Sequence, residues 1–178
     1  MSKTFRSEYV ILFFSLFLVV GYNQSLWHGI LQSHNELSFH NALFLTSVAF
    51  FLTAIINFLL NLIAVKQLLK PVLFTIVISS AIASFFLDSY GVLIDSSMLQ
   101  NVYETDSHEA TELLSIAFAQ HLFILGVLPA LVIFKLNISH ATFFRQIVIN
   151  LFSIVMSVLV IGLVAAGFYQ DYASTFRN

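Results

Sequence analysis

Long uninterrupted apolar runs, rather than an amphipathic repeat, organise this chain. Five of them stand out: about Tyr9 to Leu26, Asn41 to Val65, Val72 to Leu87, Leu113 to Phe134 and Gln146 to Tyr169. None carries Asp, Glu, Lys or Arg in its interior. A helix that crosses about 30 Å of hydrocarbon needs about 20 mainly apolar residues, and these runs meet or approach that length. The third is the shortest. Lys70-Pro71 opens it and Asp88 closes it, and proline in a first helical turn costs no hydrogen bond. The pattern predicts an all-α integral membrane protein with five transmembrane helices and short helices in the longer loops.

Composition agrees with that reading. The 178 residues are 59% hydrophobic and 9% charged, with 20 Phe and only 2 Pro, whereas soluble domains carry about a quarter charged residues. A formal net charge of −2, with no basic stripe, argues against nucleic acid as a partner. Cysteine is absent, which removes disulfides and Cys-ligated metal from consideration within these residues.

Charge placement sets an orientation. Lys3 and Arg6 precede the first run, Lys66 and Lys70 separate the second from the third, and Lys135 and Arg145 separate the fourth from the fifth. Six of the seven basic residues thus share one side, which the positive-inside bias assigns to the cytoplasm together with the amino terminus. The carboxyl terminus emerges opposite. The first run resembles a signal peptide but passes into Gly21-Tyr22-Asn23-Gln24 without a small-x-small cleavage site, so an uncleaved signal anchor is expected.

The far side receives the loop Asp88 to Glu112, which holds six of the nine acids and no Lys or Arg. Acidity alone can be the mirror image of the positive-inside bias. The arrangement "SMLQNVYETDSHEATE", Ser97 to Glu112, is more particular. Ser97-x-x-Gln100 is a capping-box signature for a helix start. A helix continuing from there brings Asn101, Thr105 and Glu109 to one face, at i, i+4 and i+8. Alternatively the helix breaks near Thr105-Asp106, and Asp106-x-x-Glu109 caps a new one leading into the fourth span. Either way an amide, a hydroxyl and a carboxylate stand near one another at the membrane surface. Those groups suit a primary ammonium such as an ethanolamine head group. An exposed ion pair contributes only about 0 to 1 kcal/mol, but a lipid confined to the bilayer is present at high effective concentration. The competing reading is surface capping alone.

"YGVLIDSSMLQNVYETDSHEA", Tyr90 to Ala110, together with "FYQDYASTFRN", Phe168 to Asn178, resembles the amino-terminal membrane domain of the lipid A phosphoethanolamine transferases, including the mobile colistin-resistance type. The resemblance covers the whole chain, 1–178, in topology. It implies transfer of phosphoethanolamine from the donor phosphatidylethanolamine to the acceptor lipid A, on the periplasmic face of the bacterial inner membrane, giving polymyxin resistance. It also implies that the threonine nucleophile and the zinc cofactor belong to a periplasmic catalytic domain outside these residues. The chain would then anchor the enzyme and bind the donor lipid, with no catalytic or metal residue of its own and no activity alone. By the same resemblance, Asn101, Thr105 and Glu109 match the head-group positions.

Other polar residues have plainer readings. His28, His34 and His40 recur every six positions, a spacing that does not converge on one helix face, so zinc is not expected there. His121, the pair Asn57 and Asn61, and Asn150 are expected to bond between helices. Trp27, Tyr22 and Tyr169 are placed in an interfacial aromatic belt. Thr105 lacks an adjacent base and is read as a binding or capping residue. A small transporter is the alternative class, disfavoured by the absence of ionisable residues within the spans. A scaffold presenting its outer loops is the third.

Overall fold

The computed structural model describes residues 4–33, 39–90, 115–169 and 172. Strand β1 (Thr4–Arg6) leads directly into helix α1 (Ser7–Tyr22), followed by α2 (Gln24–Ser33), α3 (Phe39–Leu62) and α4 (Leu69–Tyr90). Helix α5 (Ile116–Lys135), strand β2 (Asn137–Ser139) and α6 (Phe143–Gly167) complete the described chain. Four helices, α3 to α6, are each long and apolar enough to span a membrane, and the bent pair α1 and α2 is the fifth candidate. This is an all-α, multi-pass membrane architecture.

The first apolar run is not one straight span. Helix α1 ends at Tyr22, and α2 leaves at 61° to it. The break is held by side chains rather than by fraying. Asn23 donates its amide to the carbonyls of Leu18 and Val19 at 3.0 and 3.1 Å, and the Trp27 indole N–H reaches Val19 O at 3.2 Å. The last carbonyls of a helix have no partner within it, and these donors supply one.

The core gathers at the junction of α1, α3, α4 and α5. Leu69, Leu73, Val77 and Ala81 make a buried i, i+4 ladder along α4, against Ile11, Phe14 and Leu18 of α1 and Ile133 of α5. Helix α6 packs against α3 yet buries only Gln146 and Ser157, leaving most of its apolar surface to lipid. Within α5 the stretch Leu122–Val127 is wound as a π-helix. Gly126 is buried there, and a Cβ on it would stand 3.4 Å from the Ala81 Cβ, so α4 and α5 approach closely at this point.

Polar residues inside the bilayer pair with one another, since no water is present to satisfy them. The Asn61 amide donates to Asn57 O and Oδ1 at 2.8 and 3.0 Å, and the Ser157 hydroxyl crosses from α6 to Asn57 Oδ1 at 3.1 Å. Asn150 donates to Ala64 O at 3.2 Å and accepts from Gln146 at 2.8 Å. Asn57 and Asn150 thus bond from α3 and its end to α6 as expected, whereas Asn61 bonds only within α3, and its Oδ1 and the Thr53 hydroxyl are buried without a partner among the described residues.

One feature has no counterpart in the apolar pattern. Strand β1 pairs in parallel with β2, Thr4 opposite Asn137 and Arg6 opposite Ser139. The start of α1 is thereby tied to the link between α5 and α6. Nearby, the Lys70 ammonium donates to Phe134 O at 3.1 Å, placing a cation at the carbonyl end of α5, where the helix dipole favours it. Arg6, Lys70, Lys135 and Arg145 all lie at this end of the bundle, at helix ends opposite the link that joins α4 to α5.

Candidate functional site

Helices α1, α3 and α4 line an open groove of about 600 Å³ that runs from Ile63, beside the basic end of α3, to Leu87 near the far end of α4. Its walls are Leu18, Ile56, Leu60 and Ile76, and its outer mouth carries Tyr22, Asn23, Ser84 and Leu87. An apolar trough of this volume with a few polar groups at one end has the character of a ligand site.

The mouth is rigidly built. Ser25, at the start of α2, donates its backbone N–H to Asp88 Oδ1 at 3.1 Å, and its hydroxyl donates to the same oxygen. This fixes the bent helix against the end of α4. Ser84 Oγ lies 2.9 Å from His121 Nε2, and the Phe85 ring meets the imidazole edge-on at 5.5 Å. His121 is thus an interhelical partner between α4 and α5. Helix α5 starts under a serine cap, with Ser115 Oγ accepting from the Phe118 N–H at 3.1 Å.

Tyr22 departs from its expected place. It is 6% exposed and its hydroxyl donates to Leu125 O in the π-helical stretch, so it belongs to the core rather than to an interfacial belt. The break at Asn23 turns the chain early and carries the ring inward. Trp27 packs beside the outer cluster of Ile30, Phe44 and Val48, which Phe168 and Tyr172 also join. Tyr169 is exposed.

Asn101, Thr105 and Glu109, with the helix start expected at Ser97 and the capping pair at Asp106, lie outside the described residues, as does His34. By chain connectivity the segment 91–114 joins the mouth end of α4 to α5. Among the described residues, no three His, Asp or Glu side chains are gathered to hold a metal ion, so zinc chemistry is not assigned to them. The groove was missed from sequence because its walls come from three helices, and each lining residue looks like any other apolar span position. The paired Asn23 and Trp27 beyond Gly21 were the available signal for the break.

Comparison with known proteins decides the family. Residues 52–178 match the family model described as phosphoethanolamine transferase EptA/EptB. The chain belongs to this family. It is 38% identical over 112 residues to the phosphatidylethanolamine transferase Mcr-1 of Escherichia coli, covering 63% of this chain and 21% of that protein. It is 33% identical over 169 residues to EptA of Escherichia coli K12, covering 94% of this chain and 31% of the relative. The integral membrane lipooligosaccharide phosphoethanolamine transferase EptA of Neisseria meningitidis superposes with a TM-score of 0.88 at 27% identity, over 99% of this chain and 33% of that one. The chain thus spans about a third or less of these relatives, and corresponds to the amino-terminal membrane domain of the EptA/EptB family.

Proposed function

We propose that the chain is the anchoring and donor-lipid-binding domain of a phosphoethanolamine transferase that modifies lipid A and so lowers sensitivity to polymyxins such as colistin. The observation that carries this reading is the groove between α1, α3 and α4, whose mouth at Ser84 and Leu87 lies in the last two turns of α4, from which the chain continues toward Asn101, Thr105 and Glu109. An acyl chain of phosphatidylethanolamine occupies the trough, and its ammonium meets the carboxylate and the two neutral hydrogen-bonding groups. The chain alone supplies no nucleophile and no zinc, and it holds the donor without transferring its head group. Zinc in a catalytic domain would supply the phosphoryl chemistry.

Ala83 lines the mouth and is exposed, so Ala83→Trp should block the trough without entering the core. In lipid nanodiscs, binding of phosphatidylethanolamine should fall several-fold while the melting temperature stays within a few degrees. Unchanged binding by a folded Ala83→Trp protein removes the groove from the donor site.

The same reading places the chain in the bacterial inner membrane, with the basic end cytoplasmic and residues 91–114 periplasmic. The absence of native cysteine makes this simple to test. In intact cells an impermeant thiol reagent should label Ser107→Cys and spare Ser139→Cys. The reverse pattern inverts the topology.

A further inference from the structure

The basic end holds a second cleft, which the donor-lipid reading does not use. A polar pocket of about 300 Å³ is lined by Arg6, Glu8, Ser139, His140 and Arg145. It opens into an apolar groove of about 660 Å³ between α1, α3 and α6, whose walls include Tyr9, Leu12, Phe152 and Met156. Arg6, Glu8 and Ile149 line both, so the two are one continuous, amphipathic cleft.

The charges of the pocket can be counted. Arg6 and Glu8 form an ion pair at 2.5 Å and cancel. Arg145 has no ion-pair partner among the described residues. Burial, and secondarily Lys66, push the His140 imidazole below its ordinary value, with Glu8 pulling the other way, so at neutral pH it is uncharged. The pocket therefore carries one net positive charge. His140 Nδ1 is buried without a hydrogen-bond partner, which ordinarily costs about 1 to 3 kcal/mol. A ligand bearing a hydroxyl or phosphate oxygen would relieve it. Ser139 adds a hydroxyl at the rim, and Thr142 leaves the first turn of α6 without a side-chain cap, where backbone N–H groups favour an anion.

We propose that this cleft holds one anionic phospholipid of the phosphatidylglycerol class, its phosphate against Arg145 and Arg6 and an acyl chain in the groove beside α6. Charge selects the occupant: a head group of net charge −1 neutralises the pocket, whereas a zwitterion leaves Arg145 uncompensated. The tie between β1 and β2 fixes Arg6 beside Ser139, so the site is formed before the lipid arrives. Binding there would bracket α1, α3 and α6 from the basic side, along a face that includes α6, whereas the donor groove is lined by α1, α3 and α4.

The test uses the whole chain, stripped of lipid in detergent and titrated with phosphatidylglycerol or phosphatidylethanolamine while bound lipid is counted by native mass spectrometry. At equal concentration the first bound molecule should be phosphatidylglycerol, several-fold over phosphatidylethanolamine. Arg145→Gln, at an exposed position, should lower that occupancy about fivefold or more. Met156→Trp, at a position 45% exposed, should lower it by filling the groove. Lys135→Gln removes a cation from the same end but outside the pocket, and should leave occupancy unchanged. Melting temperatures identify any variant that fails to fold, and Arg145→Lys then serves as the milder substitute, retaining charge but losing the planar fork. Equal occupancy by the two lipids overturns the proposal. So does a fall with Lys135→Gln as large as with Arg145→Gln, or full phosphatidylglycerol binding by a folded Met156→Trp protein.

Discussion

Gly126→Leu is expected to separate α4 from α5 and to destabilise the bundle by about 3 kcal/mol, the upper end of the usual range for overpacking. Even a Cβ at this position would lie 2.9 Å from Leu122 Cδ1 and 3.4 Å from both Ala81 Cβ and Ile78 Cδ1. The Leu122 methyl is the far end of a flexible side chain and can turn away, so Gly126→Ala should be nearly neutral, helped by the better helix propensity of alanine. A leucine has no such escape, because Ala81 is fully buried on the facing helix. In a bilayer helices are held together by packing and hydrogen bonds rather than by exclusion of water. Lost proximity is therefore not compensated by burial elsewhere. The same displacement would strain the Tyr22 bond to Leu125 and the Ser84 contact with His121, which both reach α5 on the N-terminal side of Gly126. Thermal unfolding in detergent measures the effect. A melting temperature for Gly126→Leu equal to that of the wild type would mean that the two helices do not meet there.

That seam also explains what an apolar sequence conceals. Long runs without charge betray spanning helices because a single ion in the hydrocarbon is costly. Polar residues within the runs are informative for a related reason, since each must find a partner, and Asn57, Asn150 and His121 do so. The inward face of a helix is not marked in this way. Lipid and protein interior are alike apolar, so the amphipathic stripe that orients a soluble helix is missing. Leu73 and Val77 on α4 are fully buried while Phe74 beside them is exposed, and nothing in their chemistry separates them.

Two other features were hidden for local reasons. The apolar run through Leu26 and Trp27 continues past a break whose cause is hydrogen bonding by Asn23 and Trp27, not a change in hydropathy. The pairing of β1 with β2 joins segments on either side of the five described helices α1 to α5, and six positions without a strand pattern do not advertise it. The candidate donor site divides in the same manner. Its polar block is legible because acids, amides and hydroxyls gather where the rest of the chain has few, whereas the trough exists only once α1, α3 and α4 have packed.

The largest functional effect is expected at Glu109. On the proposed reading its carboxylate faces the ammonium of phosphatidylethanolamine, with Asn101 and Thr105 as neutral partners. Glu109→Gln removes the charge and keeps the shape. An exposed ion pair contributes about 0 to 1 kcal/mol, so affinity for the lipid should fall by up to about fivefold, a factor of ten corresponding to about 1.4 kcal/mol. Glu109→Ala removes a hydrogen-bond acceptor as well, worth about 0.5 to 1.5 kcal/mol, and the combined loss should approach or exceed tenfold. Asn101→Ala and Thr105→Ala should each give a smaller loss with the fold intact. Capping makes the opposite prediction: glutamine serves a capping box about as well as glutamate, so Gln would bind normally, and Ala would lower thermal stability first. Titration of phosphatidylethanolamine into nanodisc-held protein, beside melting curves of the same variants, separates the two. Weaker binding by Glu109→Gln at wild-type stability supports the ammonium site, and wild-type affinity in that variant returns Glu109 to the helix start.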